Sequence, residues 1–110
     1  MNCIFCKISQ KEIPAQFVFE DEKFVAFEDI HPKAPVHILV LPKEHLASVL
    51  EAKGELIGTT VEIAKKIAAE KKLEGYKLVF NVGPAGGQVV EHLHLHLLGG
   101  WREKPGKVEV

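Results

Sequence analysis

The stretch His92-Leu93-His94-Leu95-His96-Leu97-Leu98 alternates imidazole and leucine side chains near the end of a 110-residue chain. Successive side chains of a β-strand point to opposite faces of a sheet, so this alternation predicts a last strand over about residues 90–98. We expect the leucines to lie against the core and the three imidazoles to stand in a row on the other face, about 7 Å apart. The glycine-rich loop 83–88 precedes this strand, and its glycines allow backbone N–H groups to approach an anion closely.

The other periodicities predict an α+β fold around that strand. Apolar runs rich in Phe, Val and Leu predict four further strands, over residues 16–20, 23–28, 36–41 and 76–82. Apolar residues that recur every three or four positions over 55–72 predict one long amphipathic helix, and short helical segments are expected over 3–9 and 45–50. We therefore predict a sheet of about five antiparallel strands, with a meander as the simplest topology, one long helix and a short N-terminal helix. One helix cannot cover both faces of such a sheet and the sheet edges are free to pair, which favours a homodimer.

Length and charge limit the classes of function. At 110 residues the chain has room for one compact domain, spanning residues 1–110. A formal net charge of −1 provides no basic surface for a nucleic acid polymer. No apolar run approaches the ~20 residues that span a bilayer, and the N-terminus carries no targeting pattern, so we expect a cytoplasmic protein with no membrane partner. Thiols stay reduced in that compartment, and Cys3 and Cys6 are then free thiols or metal ligands.

The three histidines of the predicted last strand suit phosphoryl or nucleotidyl transfer without a metal. An imidazole near its pKa is both a nucleophile and a proton donor at neutral pH. A backbone carbonyl that accepts one ring N–H fixes the tautomer of a histidine nucleophile, and neighbouring imidazolium groups and backbone N–H donors can hold the phosphoryl oxygens. Two other interpretations stay open at this point: a histidine-rich strand whose polar face is solvated, and a catalytic metal site with three histidine ligands.

The chain resembles the histidine-triad (HIT) superfamily over almost its whole length. The segment 92–98 matches the signature His-φ-His-φ-His-φ-φ, where φ is an apolar residue. Further matches to the Hint branch are Cys3-Ile-Phe-Cys-Lys-Ile8, Lys11-Glu-Ile-Pro14, Ala26-Phe27, Asp29-Ile30, Ala34-Pro35, Leu41-Pro-Lys-Glu-His45, Asn81, Gly86-Gly-Gln88 and Leu98-Gly-Gly100. The resemblance implies a homodimer with joined sheet edges, in which each active site binds a purine nucleoside monophosphate. It also implies hydrolysis of the P–N bond of adenosine or guanosine 5′-phosphoramidates, with no cofactor required for the chemistry.

The resemblance further implies roles for individual residues. His94 would be the nucleophile that forms a nucleotidyl-histidine, and His92 would position it through its backbone carbonyl. His96 and His37 would line the phosphate pocket, and Asp29 would bind the ribose hydroxyls. The phosphate-binding loop and its neighbourhood would comprise Asn81, Gly87, Gln88 and Val89. The base pocket would comprise Ile4, Phe5, Ile8, Ile13, Phe27 and Ile30.

Two features depart from the Hint pattern. Eukaryotic members commonly carry a serine where this chain has Val89, and that hydroxyl helps to protonate the leaving group, whereas valine keeps only the backbone N–H. Trp101 falls earlier than the C-terminal tryptophan of some relatives, in a tail that often reaches the partner's active site. Both departures bear on the preference for leaving group and substrate. His31 matches no functional position of the family, and we expect it at the surface.

The pair Cys3 and Cys6 resembles an N-terminal pair of some bacterial HIT proteins that joins two histidines, here His45 and His92. Because zinc prefers four tetrahedral N and S ligands, the resemblance implies a closed structural zinc site. Such a site would hold the N-terminus against the last strand and orient the catalytic histidines from behind. The alternative interpretation is two small apolar cysteines packed in a core.

Two alternatives to phosphoramidate hydrolysis remain on sequence grounds. One is a nucleotide-binding regulatory module that acts through partners and whose hydrolysis is incidental. The other is hydrolysis or transfer on dinucleoside polyphosphates or sugar nucleotides, against which the short length and the Hint-like N-terminus argue.

Overall fold

The computed structural model describes residues 2–110, which form a five-stranded sheet with one long and one short α-helix. The strands are β1 (Phe17–Glu20), β2 (Phe24–Glu28), β3 (Val36–Pro42), β4 (Tyr76–Phe80) and β5 (Leu95–Gly99). The helices are α1 (Ile4–Ser9) and α2 (Gly54–Glu70), and single 3-10 turns span Val49–Glu51 and Pro84–Gly86. Within residues 2–110, no helix has the length and apolar character needed to span a membrane.

The sheet has the strand order β1-β2-β3-β5-β4, and every neighbouring pair is antiparallel. The predicted fold class, α+β with one long helix and a short N-terminal helix, is confirmed. The predicted meander is wrong after β3, because α2 carries the chain to the far edge, where β4 lies, and β5 returns between β3 and β4. The physical reason lies in the side chains. Leu95, Leu97 and Leu98 are 0% exposed and need the centre of the sheet, whereas Tyr76 and Lys77 are exposed and suit an edge.

The two faces of the sheet are covered by different helices. One face packs its apolar side chains against α2, through the helix residues Ile63, Ala64, Ile67 and Ala68. The other face packs against α1, in a cluster formed by Phe5, Ile8, Val25, Phe27, Leu39 and Leu41. Because α1 is only six residues long, it covers part of this second face, and a cavity opens beside it.

The chain that leads into β5 is irregular, so β5 is shorter at its start than the predicted strand 90–98. Instead of joining the sheet ladder, the N–H of Leu93 donates to the carbonyl of Leu46 over 2.7 Å. That contact also engages the segment predicted as a helix over 45–50, where only the 3-10 turn Val49–Glu51 forms. The prediction of a continuous strand and that of a helix over 45–50 are therefore both wrong.

Candidate active site

A cavity of about 910 Å³ opens between α1, the β2–β3 loop and the chain leading into β5. This is the size of a small-molecule binding pocket. Its apolar lining includes all six residues predicted to hold a base, Ile4, Phe5, Ile8, Ile13, Phe27 and Ile30. The rest of its lining includes six more of the predicted site residues, Asp29, His37, Gly87, Val89, His94 and His96. Among the residues predicted for catalysis and substrate binding, three do not line it: Asn81, Gln88 and His92.

The expected row of three imidazoles is wrong, because the irregular chain before β5 turns His92 away from the other two. The ring centroids of His94 and His96 are 4.9 Å apart, and both rings line the cavity. The ring of His92 is fully buried and lies beside Cys3 and Cys6 instead. The triad therefore divides into two cavity residues and one residue of a neighbouring cluster.

His94 has a defined tautomer. Its Nδ1 lies 2.7 Å from the backbone carbonyl oxygen of His92. That oxygen can only accept, so Nδ1–H donates to it and Nε2 keeps its lone pair. Burial lowers the pKa of His94, against the opposing effects of this hydrogen bond and of Asp29, so the ring is neutral at pH 7. Phe5 packs edge-on against the ring, with 5.0 Å between centroids, and restricts its rotation. A neutral imidazole held in this way has the lone pair that a nucleophile needs.

His37 and His96, called the histidine pair below, form a second hydrogen-bonded unit. The backbone N–H of Lys33 donates to Nδ1 of His37 over 3.0 Å. Nε2 of His37 lies 2.9 Å from Nδ1 of His96. Burial lowers the pKa of His37, and burial together with the nearby His94 and His37 lowers the pKa of His96 to about 4. Both rings are thus neutral near pH 7, and the imidazolium neighbours expected from the sequence are neutral imidazoles.

Asp29 follows β2 at the polar end of the cavity. Its Oδ1 accepts a hydrogen bond from the backbone N–H of His31 over 2.8 Å, which fixes the carboxylate in a turn. Its Oδ2 lies 3.6 Å from Nε2 of His37, and the side chain is 20% exposed. The carboxylate therefore has open acceptor positions beside the histidine pair. Two neighbouring hydroxyl groups of a ligand could donate hydrogen bonds to these positions.

The loop before β5 takes a shape that depends on Gly87 and Gln88. Gly87 has φ +85°, and a Cβ there would lie 3.0 Å from Nδ2 of Asn81, so only glycine fits without strain. The Gln88 side chain ties the loop together: its Oε1 accepts from the N–H of Gly83 over 2.8 Å, and its Nε2 donates to the carbonyl of Ala47 over 2.6 Å. Gln88 and Asn81 thus shape and support the loop from outside the cavity, while Gly87 lines it.

The rim of the cavity contains Val89, which was predicted as part of the phosphate-binding loop, and further residues that the sequence did not indicate. Val89 is 93% exposed there and lines the same cavity as His94. The C-terminal residues 107–110 also line the cavity of their own chain, although no motif marks them. His31 is exposed, as expected, but it too lines the cavity. Only contacts between segments distant in sequence reveal that residues 107–110 and His31 line the cavity.

A cluster of four metal-ligand residues lies behind His94, formed by Cys3, Cys6, His45 and His92, and is called the Cys/His cluster below. The Nε2–H of His92 donates to the carbonyl of Pro42 over 2.8 Å, so the lone pair of its Nδ1 faces the thiols. From that Nδ1, Sγ of Cys3 is 3.4 Å away, Sγ of Cys6 is 3.6 Å away and Nδ1 of His45 is 3.2 Å away.

These distances fit a tetrahedral metal site. Zinc bonds of about 2.0 Å to nitrogen and 2.3 Å to sulfur place two nitrogen ligands about 3.3 Å apart and a nitrogen and a sulfur about 3.5 Å apart. A carbonyl behind a ligating imidazole is also the usual support for its orientation. Burial and the neighbouring Cys3 thiol raise the pKa of Cys6 to about 11, so a bound cation is needed to hold this sulfur as a thiolate at neutral pH.

A second group of potential ligands, Asp29, His37 and His96, has the wrong proton arrangement for a metal. The Lys33 N–H occupies the lone pair of His37 Nδ1, so a neutral His37 carries its proton on Nε2, the atom that faces the other two residues. A metal there would have to displace that proton. The three-histidine metal site considered from the sequence is excluded by geometry as well, because His92 faces the Cys/His cluster.

The sequence matches the family model described as the HIT domain over residues 10–103. The chain belongs to the HIT family. It is 55% identical over 103 residues to an uncharacterised HIT-like protein of Synechococcus elongatus, with 90% of each chain covered. It is 50% identical over 103 residues to a 14 kDa zinc-binding protein of Zea mays, with 88% of this chain and 80% of the relative covered.

Solved structures agree with this assignment. A HIT family hydrolase from Clostridium thermocellum superposes with a TM-score of 0.88 at 44% identity, covering 96% of both chains. The likeness therefore extends over almost the whole length of both chains.

Proposed function

We propose that this HIT protein is a hydrolase that cleaves the P–N bond of purine nucleoside 5′-phosphoramidates through a nucleotidyl intermediate on His94. The observation that carries the proposal is the Nδ1–H of His94 held by the His92 carbonyl, which leaves Nε2 with its lone pair in a cavity of nucleotide size. The family assignment and the description of a similar structure as a hydrolase support the same conclusion.

The apolar end of the cavity binds the base of the substrate, and the polar end binds its ribose and phosphate. The side chains around Phe5 and Phe27 offer flat apolar surface for a purine base. Asp29 accepts hydrogen bonds from the ribose hydroxyls. The backbone of Gly87 to Val89 and the Nε2–H of His96 meet the phosphoryl oxygens, where hydrogen-bond donors stabilise the charge that develops during transfer, and His37 supports His96 from the other side of its ring.

The reaction then needs two displacements at phosphorus. In the first, Nε2 of His94 attacks, the P–N bond breaks, and the amine leaves with a proton taken from solvent. In the second, the oxygen of a water molecule attacks phosphorus and loses a proton to solvent, the bond between phosphorus and Nε2 breaks, and His94 regains its lone pair as the nucleoside monophosphate leaves. The His92 carbonyl accepts the Nδ1–H throughout, and so stabilises the positive charge that the ring gains when Nε2 bonds to phosphorus.

We infer that the Cys/His cluster holds one structural zinc ion. The tetrahedral spacing of its four donor atoms supports this, and so does the zinc-binding relative from Zea mays. Since His92 contributes its ring to the cluster and its carbonyl to His94, the metal would stabilise the position of the nucleophile from behind. Zinc would act here as a structural ion and take no part in the two displacements.

We further propose a cytoplasmic homodimer that joins two sheets at the edge strand β4. Among the described residues, this strand pairs only with β5, and Tyr76 at its start is 38% exposed. An unpaired edge of this kind favours association with a second copy.

Hydrolysis of an adenosine 5′-phosphoramidate that releases a fluorescent amine tests the function. Wild type should turn over, and His94→Ala should lose at least ~10³-fold in kcat, because the nucleophile is gone. Lys65→Ala, on the exposed side of α2, is the matched control for contaminating activity and should match wild type. Quenching in alkali during turnover, followed by mass spectrometry, should find a nucleotide on His94.

The choice of substrate is decided in the same assay. A panel that contains dinucleoside polyphosphates and sugar nucleotides separates P–N from P–O–P cleavage. Equal activity of wild type and His94→Ala, or faster cleavage of P–O–P substrates, would contradict the proposal. Tight nucleotide binding without turnover would instead favour a regulatory module.

A further inference from the structure

We propose that the backbone N–H of Lys33 is a positioning group, which acts through His37 to fix His96 as a neutral hydrogen-bond donor with its proton on Nε2. The inference deepens the proposed function and rests on it only for the consequence in catalysis. The proton positions themselves follow from the geometry of three groups.

The proton positions follow from the series of hydrogen bonds that runs from the Lys33 N–H through His37 to His96. A backbone N–H can only donate, so the Lys33 N–H at 3.0 Å requires a lone pair on Nδ1 of His37. A neutral His37 then carries its proton on Nε2, which lies 2.9 Å from Nδ1 of His96. That nitrogen must accept, so the proton of a neutral His96 is on Nε2, at the other side of its ring.

The same geometry resists protonation of His96. A proton added at its Nδ1 would place two N–H groups against each other across 2.9 Å. His37 could relieve that contact only by moving its own proton to Nδ1, where it would meet the Lys33 N–H. Each arrangement leaves two donors facing one another inside the protein, where an unsatisfied polar contact is costly. His96 therefore resists protonation more strongly than burial alone requires.

The charged groups around the histidine pair do not account for its neutrality by themselves. Asp29, 3.6 Å from Nε2 of His37, raises the pKa of both rings and so works against neutrality. The Lys33 ammonium lowers the pKa of His37, and a neighbouring histidine lowers the pKa of each ring. Lys107 and Glu109 line the same cavity from the C-terminal segment, with their side chains paired at 2.9 Å. The N–H of Lys33 is the group that selects one tautomer.

For catalysis, His96 then supplies a hydrogen bond of constant strength rather than a transferable proton. Its Nε2–H donates a hydrogen bond to a phosphoryl oxygen, while its Nδ1 accepts the hydrogen bond from His37. The proton of the leaving amine comes from solvent, and the rate should show no acidic limb from His96 above roughly pH 5.5.

Nuclear magnetic resonance of protein with ¹⁵N-labelled histidine measures the proton positions directly. At pH 7, long-range ¹H–¹⁵N spectra of the wild type should show His37 and His96 each with a proton on Nε2 and none on Nδ1. His96→Gln assigns the signals. A proton on Nδ1 of either ring, or a protonated His96 above pH 6, would overturn the proposal, whether or not the protein hydrolyses phosphoramidates.

A pair of variants isolates the backbone N–H. Lys33→Pro and Lys33→Ala both remove the lysine side chain, but only proline removes the N–H. In Lys33→Pro, no donor faces Nδ1 of His37, so His37 can shift its proton there when His96 is protonated, and the pKa of His96 should rise by roughly one unit or more relative to Lys33→Ala. Identical titration of His96 in the two folded variants would sink the idea. If Lys33→Pro fails to fold, the wild-type spectra decide alone.

Activity provides an independent readout. Lys33→Pro should acquire a new acidic limb in its profile of kcat against pH, which Lys33→Ala lacks. Absence of hydrolysis in every protein would reject the proposed function and leave the tautomer measurement standing, so the two failures can be told apart.

Discussion

The substitution Cys6→Ser makes the contribution of a bound metal measurable. A serine hydroxyl is a poor substitute for a thiolate in a tetrahedral zinc site, so one of the four donors of the Cys/His cluster is lost. Those donors come from the start of α1, the segment after β3 and the chain before β5. A metal joins these parts only in the folded protein, and its binding free energy therefore adds to the free energy of unfolding.

The size of the effect follows from linkage. With free zinc at 100 times its Kd, the folded state gains about 2.7 kcal/mol. A chain of 110 residues unfolds with an entropy of about 0.23 kcal/mol/K, at about 2.1 cal/mol/K per residue. Removing the metal should thus lower Tm by about 12 °C in the wild type, and tighter binding would enlarge the difference.

The assay combines metal analysis with thermal unfolding. Protein purified without chelators should contain one zinc per chain, and EDTA should lower its Tm by the amount above. Cys6→Ser should contain little zinc, and its Tm should not respond to EDTA. The matched control is the comparison of the two metal-free proteins, which should agree within about 1 kcal/mol, since serine replaces one buried sulfur. Equal and negligible zinc in both, with a Tm that EDTA leaves unchanged, would refute the reasoning.

Three further outcomes are expected. The pKa of His96 is lowered to about 4, so between pH 6.5 and about 4 the unfolded chain binds a proton that the folded chain does not. The contribution of His96 to the free energy of unfolding is therefore full above pH 6.5 and declines as the pH falls to about 4. After allowance for solvent screening, His96 should contribute about 1–2 kcal/mol of the loss in urea unfolding at pH 4.5 against pH 7. His96→Gln should reduce the loss by that amount, while His37, His92 and His94, whose pKa values burial also lowers, account for the remainder. Gly87→Ala places a side chain at φ +85° and should cost about 1 kcal/mol in stability and more than tenfold in kcat/KM, whereas Gly106→Ala, with open space around it, should cost little in either. Val89→Ser adds a hydroxyl at an exposed position, so Tm should stay the same while kcat for poorly leaving amines rises roughly tenfold; an unchanged ratio between good and poor leaving amines would contradict this.

The sequence alone determined the five strands, the long helix and most of the residues that line the cavity. Apolar runs and the alternation around His94 indicated the strands, and the three- and four-residue spacing indicated α2, because these patterns depend only on which side chains must be buried. The family signature led to the residues that line the cavity, since each role depends on residue type. The positions that line it without a motif, such as Lys107, could not be found in this way.

Only the tertiary structure decided where the histidines point. The alternation of residues 92–96 predicts one shared face, but the contact between Leu93 and Leu46 breaks the strand and directs His92 to the cysteines. The central position of β5 in the sheet could likewise not be predicted from the sequence, because the order of the strands depends on how α2 crosses the sheet.

The tautomers were hidden for a similar reason. The proton on each imidazole depends on a backbone group far away in sequence or outside any pattern, such as the carbonyl of Pro42 for His92 and the N–H of Lys33 for His37. Every residue except proline carries the same backbone donor and acceptor, so their direction is set by the fold and leaves no trace in the order of the side chains.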